Sequence, residues 1–525
     1  MSDPKPQAAP LPSKAPSLVS VTSTREKLQT TFSSELVIAL CGPIGSPIHA
    51  VADKLKAILD SDFGYQQCEI IRLSDFIKKY CPGEVPEDEH GKIKELIRLG
   101  DVLRQTKGPS VLVELAIGTK ITKDREARKV AAEATSYKPA RVCHIIDSVK
   151  NQEELELLRK VYRDMLYFVG VFSPTEIRKK NLENRGMSPP QIYELIDRDS
   201  GEEVDHGQTV RDTFPQADFF LRIDADTDTQ ITDRVTRFLH IIQGTKVITP
   251  TKAEKAMYAA ASAAGNSACL SRQVGASITD ENGDILSTGW NDVPKFGGNL
   301  YGNDGDKTSG EDNRCWNLEG GVCFNDREKK LTAEVVVSDL IEAGLIDRTN
   351  KATAIQRVSN SSKLRNLIEF SRSVHAESLA IITGSQTAGE RVKGGKLYCT
   401  TYPCHACARL IIAAGIKEVY YIEPYRKSLA IKLHSDAISE SETDVTKVRI
   451  LPYDGVAPNK YLKLFREVPG ARKENGKLIK VNPKDAYPRF DNSLESLPAL
   501  EALVVRSLEE KELLEPNPDH ARQSA

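Results

Sequence analysis

Ser373-Val-His-Ala-Glu-Ser-Leu-Ala-Ile-Ile382, then Lys396-Leu-Tyr-Cys-Thr-Thr401, then Pro403-Cys-His-Ala-Cys-Ala-Arg-Leu-Ile-Ile-Ala-Ala414 are the segments on which the chain turns. The first reads as the start of a helix with an apolar face, and the second as a short buried strand. The third reads as a helix opened near Pro403 and closed by Gly415. His375, Cys404 and Cys407 offer one imidazole nitrogen and two thiolates to a zinc ion and leave its fourth position open for water. Both ligand groups fall at helix N-termini, where the positive end of the dipole favours thiolates and hydroxide. Glu377 stands two residues from the His ligand, within reach of that water without being a ligand. The alternatives are a closed structural zinc site or a chance group of buried cysteines. A closed site needs a fourth donor, and His405 lies inside the Cys-x-x-Cys loop, where its ring tends to point away from the metal.

Working outward, 525 residues exceed one ordinary core and imply two large domains. No apolar run reaches the length of a membrane span, and Met-Ser-Asp-Pro-Lys-Pro lacks the apolar core of a secretory signal. Ten cysteines in such a chain, two of them in a metal pair, point to a reducing, cytoplasmic setting. A formal net charge of −2 shows no excess of basic residues for holding a polynucleotide, so the balance favours small-molecule substrates.

Residues 1–32 are rich in Pro, Ser, Lys and Ala and are expected to form a flexible tail. From 33 to 245 the pattern alternates strand and helix, as in a parallel sheet with helices on both faces. Glu35-Leu-Val-Ile-Ala-Leu40 is a buried parallel strand, followed by the turn Cys41-Gly42-Pro43-Ile44-Gly45-Ser46-Pro47 and a helix from Ile48. Gly42, Gly45 and Ser46 are therefore candidates for cradling a phosphate as a P-loop does. The Gly-Lys-Ser/Thr ending of a working loop is missing. Three readings stay open: a structural turn, a nucleotide site without phosphoryl transfer, and an active kinase. Further alternation runs through Cys68–Leu73, then Arg98–Arg104 as a strand before a helical Ser110–Ile117, then Ala140–Asp147 and Leu166–Phe172. Asp147 at a strand end is either a metal carboxylate or a cap beside Ser148. Arg178–Gly186 resembles the basic lid of nucleoside monophosphate kinases, or is a solvated helix.

The polar junction Gly244–Lys252 separates this unit from a second one, 246–525, which opens with an Ala-rich helix. Arg272–Thr279 and Ile285–Pro294 form a hairpin around Asp280-Glu-Asn-Gly-Asp284. Residues 295–330 are too long for a connector and are expected to cover the substrate. Cys315 and Cys323 lie there, without a second ligand pair beside them for another metal. Strands at Lys417–Glu423 and Val448–Leu451 follow, then an acidic helix over Leu497–Leu514 and about ten frayed residues.

The His-x-Glu and Pro-Cys-x-x-Cys pattern is that of zinc-dependent nucleobase deaminases. With Val274-Gly-Ala, Gly289-Trp-Asn291 and the order of these segments, the second unit resembles the deoxycytidylate deaminases, and with the unit in front the resemblance covers about residues 35–465. The degenerate P-loop unit in front, with Glu423-Pro-Tyr-Arg-Lys-Ser-Leu-Ala and Leu433-His-Ser-Asp behind, makes the chain similar to bacterial P-loop/deoxycytidylate deaminase fusions that act against phage. The resemblance implies a three-layer αβα cytidine-deaminase fold behind the kinase-like α/β unit. It implies conversion of dCTP and dCMP to deoxyuridine nucleotides, depletion of dCTP, a homo-oligomer and control by nucleotides. It makes His375, Cys404 and Cys407 the zinc ligands, Glu377 the proton shuttle, Asn291 a contact to the deoxyribose and Arg272 a contact to phosphate. The rivals are a polynucleotide deaminase acting on tRNA or single-stranded DNA, and a nucleotide-sensing module without catalysis.

Overall fold

The computed structural model describes residues 32–515 apart from 82, 84–85, 133–136, 138, 200–209, 225–227, 303–311, 319, 366, 425–427, 468–469, 490–493 and 495–496. The tails expected at 1–32 and over the last ten residues fall outside these, save Phe32.

A first sheet gathers β1 (Leu36–Cys41), β2 (Gln67–Arg72), β3 (Val142–Asp147), β4 (Leu166–Phe172) and β5 (Phe219–Arg222), in the order β5-β4-β1-β3-β2. All these neighbours run parallel. Every residue of β1 is buried, because helices cover both faces. Leu36, Ile38 and Leu40 pack with Val51, Leu55 and Phe238 of the helices Ile48–Ser61 and Asp228–Gln243. Val37 and Ala39 face the opposite way, towards Leu112, Leu155 and Leu158. Each such valine, leucine or isoleucine contributes roughly 1.5–3 kcal/mol by leaving water. The order reverses at β1, which puts the Gly42–Ser46 turn at the switch point where α/β sheets hold ligands.

Arg98–Arg104, expected as a strand, lies inside a helix, Glu89–Lys107. Asp88 caps it by accepting from the Gly91 N–H at 2.8 Å, and Gly108 ends it. Ile97, Gly100 and Arg104 are buried at helical spacing. Seven residues are too short a window to separate that period from a strand's.

The second sheet contains β6 (Gly275–Thr279), β7 (Ile285–Trp290), β8 (Lys396–Thr401), β9 (Glu418–Glu423), β10 (Ile438–Ser439) and β11 (Val448–Pro452), ordered β10-β11-β9-β8-β6-β7. The β6–β7 hairpin is antiparallel, as the Asn-Gly turn requires, and β8, β9, β11 and β10 are mutually parallel. Side chains on β8 alternate between faces. Leu397 and Cys399 pack with Ala376, Ala380, Cys407 and Ile411, while Tyr398 packs with Ala256 and Met257 of the Ala-rich helix Lys252–Ala264. The sheet is thus the middle of three layers.

After the second sheet the chain returns to the first. β12 (Gly455–Val456) pairs antiparallel with β5, Gly455 opposite Phe220, and becomes the sixth strand. Tyr453 meets Phe220 edge to face, their ring centroids 5.8 Å apart. The helix Leu497–Glu510 then lies on the helices of the first half. The stretch 246–525 therefore supplies a strand and a helix to the N-terminal unit.

Candidate active site

The site is positioned by one close approach. Gly289 on β7 lies so near the helix Ala376–Ala388 that a Cβ there would stand 2.3 Å from the Ala376 carbonyl oxygen and 2.5 Å from the Ala380 nitrogen. Glycine removes that obstacle, and the Ser287 hydroxyl on the same strand donates to the Ala380 carbonyl at 2.7 Å. The helix start is pinned by the Val374 N–H, which donates to the Asp292 carbonyl at 2.9 Å just past β7. His375 is the N-cap of this helix and Glu377 lies in its first turn. Cys404 is the N-cap of the next helix, His405–Ala413, and its sulfur accepts from the Cys407 N–H at 3.4 Å.

These two helix starts converge. His375 Nδ1 lies 3.3 Å from the sulfur of Cys404 and 3.3 Å from that of Cys407. Donor atoms of the three residues all lie within 4.8 Å of one another, the one such group among the described residues. Tetrahedral nitrogen and sulfur ligands around zinc stand about 3.5 Å apart, so the donor set fits that ion in type and spacing. Hydrogen bonding to Cys407, and then to His375, pulls the Cys404 thiol down to about 4. Its hydrogen bond in turn pushes His375 up to about 9. His405 stays outside the group, its Nε2 3.4 Å from a Glu369 carboxylate oxygen.

Glu377 is 4 % exposed, and burial raises its carboxyl pKa above the usual range. It lines a cavity of about 390 Å³ together with His375 and Cys404. Asn291 and Arg272 line the same cavity, so the structure brings together five of the residues read from the sequence. Asn291 already holds the hairpin: its Oδ1 accepts from the Val274 N–H at 2.7 Å and its Nδ2 donates to the Arg272 carbonyl at 2.9 Å. One amide N–H and one lone pair remain for anything in the cavity. Arg272 is paired with Glu423 at 2.9 Å.

Sequence reading anticipated one wall only in part, through the cover expected at 295–330. Asn325, Lys329, Arg365, Leu367 and Ile368 line the cavity from the helix Phe324–Glu342 and the segment after it. Only the length of the stretch after the hairpin signalled them; the helix buries just Ala333 and Val337 and carries no clear period. Of the cover expected at 295–330, residues 303–311 and 319 lie outside the described residues, and Asn325, Asp326 and Lys329 reach the cavity. Cys315 and Cys323 line a small neighbouring void with Cys269 and belong to no second metal-spaced group among the described residues.

In the first sheet the Gly42–Ser46 turn is occupied by its own chain. Gly45 has φ +86°, and a Cβ there would meet the Arg178 carbonyl oxygen at 2.7 Å. Arg178 Nε donates to the Ile44 carbonyl at 2.7 Å, and Asn181 Nδ2 to that of Gly45 at 3.0 Å. The Ser46 N–H donates to the Pro43 carbonyl. Counted from Gly42, the P-loop spacing places Pro47, Ile48 and His49 where Gly-Lys-Ser/Thr would stand. His49 Nδ1 instead lies 2.5 Å from the carboxylate of Asp147. Asn151, and not Asp147, caps the helix that follows.

Residues 250–423 match the family model described as the cytidine and deoxycytidylate deaminase zinc-binding region. The deoxycytidylate deaminase of Enterobacteria phage T2 is 29 % identical over 162 residues, which are 31 % of this chain and 74 % of that protein. Among solved structures, the dCMP deaminase of cyanophage S-TIM5 in complex with dCMP and dUMP aligns with 39 % of this chain and 99 % of its own, at 22 % identity and a TM-score of 0.23. Chaetomium thermophilum Kti12 in complex with ADP-AlF3 aligns with 38 % of this chain and 96 % of its own, at 11 % identity and a TM-score of 0.21. The C-terminal half of the chain carries a cytidine and deoxycytidylate deaminase domain, with its zinc-binding region within residues 250–423.

Proposed function

We propose that the chain hydrolyses the 4-amino group of deoxycytidine nucleotides, dCMP and dCTP, to give deoxyuridine nucleotides and ammonia. The observation that carries this reading is a buried carboxyl, Glu377, beside an imidazole and two thiols spaced for zinc at the floor of a nucleotide-sized cavity. His375, Cys404 and Cys407 would hold zinc, which when bound would supply Lewis acidity that makes water nucleophilic near neutral pH. Glu377 accepts a proton from the attacking water and delivers it to N3 of the base, then takes the second proton from the oxygen now on C4 and delivers it to the departing amino group. Water's oxygen becomes the C4 carbonyl, and the C4–N bond breaks to release ammonia. Burial, which raises the Glu377 pKa, suits a group that must both take and give a proton. Asn291 and Arg272 orient sugar and phosphate, which lowers the entropic part of the barrier.

The test is ammonia release from dCMP, dCTP and a cytosine-containing single-stranded oligonucleotide, with wild type and Glu377→Gln. Turnover of the free nucleotides that falls at least about a hundredfold in the variant, zinc retained, is expected. Turnover confined to the oligonucleotide favours the polynucleotide reading. On the nucleotide reading, a sustained drain on dCTP starves DNA synthesis by an infecting phage, the role implied by the P-loop/deaminase resemblance.

A second reading concerns the first sheet. Ser46 Oγ, Asp147 Oδ1 and Ser173 Oγ are buried at the switch point without hydrogen-bond partners among the described residues. A phosphate-bearing regulator would satisfy such groups, and it would enter as the helix Thr175–Glu183, carrying Arg178, withdraws from the turn. Calorimetry with ATP and deoxynucleoside triphosphates on Arg178→Ala tests it: tighter binding than to wild type is expected, and no binding to either leaves a structural turn.

A further inference from the structure

The wall formed by the helix Phe324–Glu342 and the segment after it has a chemistry of its own. Its parts are held to one another: Lys329 Nζ donates to the Arg365 carbonyl at 2.9 Å, and Asn325 Nδ2 to the Leu367 carbonyl at 3.3 Å. Both Lys329 and Arg365 line the cavity that has His375 and Glu377 at its floor. Among the described residues neither cation is paired with a carboxylate, whereas Arg272 spends its guanidinium on Glu423. The lining thus carries three cations, Arg272, Lys329 and Arg365, against two carboxylates, and one of those, Glu377, is buried beside the metal donors.

Resting on the deamination reading, we infer that Lys329 and Arg365 bind the β- and γ-phosphates of a deoxynucleoside triphosphate and set its preference over the monophosphate. A monophosphate ends near the sugar, where Arg272 is the cation at hand. Two further phosphates add about two negative charges and need counter-charge farther along the same cavity. A guanidinium gives a planar, bidentate contact to phosphate oxygens, and an ammonium gives a compact point charge. Asp326, the exposed carboxylate on this wall, opposes bare phosphate but faces favourably a magnesium ion travelling with the triphosphate.

The experiment is calorimetric titration of dCTP and dCMP, with magnesium, into full-length zinc-loaded Glu377→Gln protein, which binds without consuming them. Lys329→Ala and Arg365→Ala are added to that background singly and together, with Lys329→Arg as the charge-keeping variant. The double variant is expected to weaken dCTP at least tenfold and dCMP less than threefold, with Lys329→Arg within threefold of the parent. Losses equal for the two nucleotides, no loss for dCTP, or a parent that binds dCTP no more tightly than dCMP would overturn the assignment. Wild-type protein that turns over neither nucleotide sinks the deamination reading separately, and the binding comparison still decides this one.

Discussion

Arg125 and Glu501, 376 residues apart in the chain, meet as a buried pair in which Nε and Nη2 donate to the two carboxylate oxygens at 2.9 and 3.2 Å. The Tyr162 hydroxyl donates to the same carboxylate at 3.1 Å. The pair fastens the helix Leu497–Glu510 to the N-terminal half. Removing one partner of a buried pair costs about 3–5 kcal/mol, because the other charge stays out of water without compensation. Glu501→Ala is expected near the lower end, since Glu35 also lies 2.7 Å from Arg125. Urea unfolding followed by hydrogen exchange checks it: protection should fall first in residues 497–510 and in the helix carrying Arg125.

A metal held by this donor set would be coupled to folding of the C-terminal half. His375, Cys404 and Cys407 sit at the starts of two helices that pack on one sheet, so an ion held there would tie both together. Cys404→Ser is expected to lower zinc from one per chain to below about a tenth, and to lower the melting temperature of that half. Elemental analysis and calorimetry read both. Zinc retained at one per chain would place the ion elsewhere.

His240 gives a pH signature. It is buried, with Nδ1 2.6 Å from the Thr245 hydroxyl, and burial lowers its pKa below the ordinary value for a histidine. Between the folded and unfolded pKa values the unfolded chain binds a proton that the folded chain refuses, so stability rises with pH. The contribution is whole above about pH 6.5 and is lost as pH falls below that towards the depressed folded value. His240→Gln should flatten this acid limb of a stability–pH curve measured by urea midpoints. An unchanged slope would assign the limb to other groups.

The donor set was legible from its spacing because metal chemistry fixes residue types: His375, Cys404 and Cys407 have few alternatives once a fourth position must stay open. The parallel strands were legible because Leu36–Cys41 and Leu166–Phe172 are short apolar runs bounded by turns. Arg98–Arg104 failed because a short amphipathic window fits both periods. The wall bearing Lys329 and Arg365 was legible only in part, for a different reason. The helix that carries Lys329 is mostly exposed, so burial imposes no pattern on it, and Arg365 stands on a separate short helix, Ser362–Arg365, outside the cover expected at 295–330. The return of β12 and of Leu497–Glu510 to the first half rests on contacts hundreds of residues apart, which no local pattern encodes.

Gly289 and Gly384 make a matched pair for testing how tightly the metal helix is seated. A Cβ on Gly289 meets backbone, the Ala376 carbonyl oxygen and the Ala380 nitrogen, so the whole helix has to shift to admit it. A Cβ on Gly384 meets side-chain atoms, the Ser287 hydroxyl at 2.8 Å and a Val392 methyl at 3.2 Å, which turn aside at lower cost. Overpacking of a tight contact costs about 1–3 kcal/mol, and displacing a reacting group by about 1 Å costs about a hundredfold in rate. Gly289→Ala is therefore expected to lose zinc affinity and about two orders of magnitude in dCMP turnover. Gly384→Ala, on the same helix but two turns beyond Glu377, should keep its zinc and stay within about tenfold of wild type. Zinc affinity measured with a competing chelator, beside steady-state kinetics, separates the two. If Gly289→Ala binds zinc and turns over like the parent, the strand does not set the position of His375 and Glu377, and the helix is held by its other contacts.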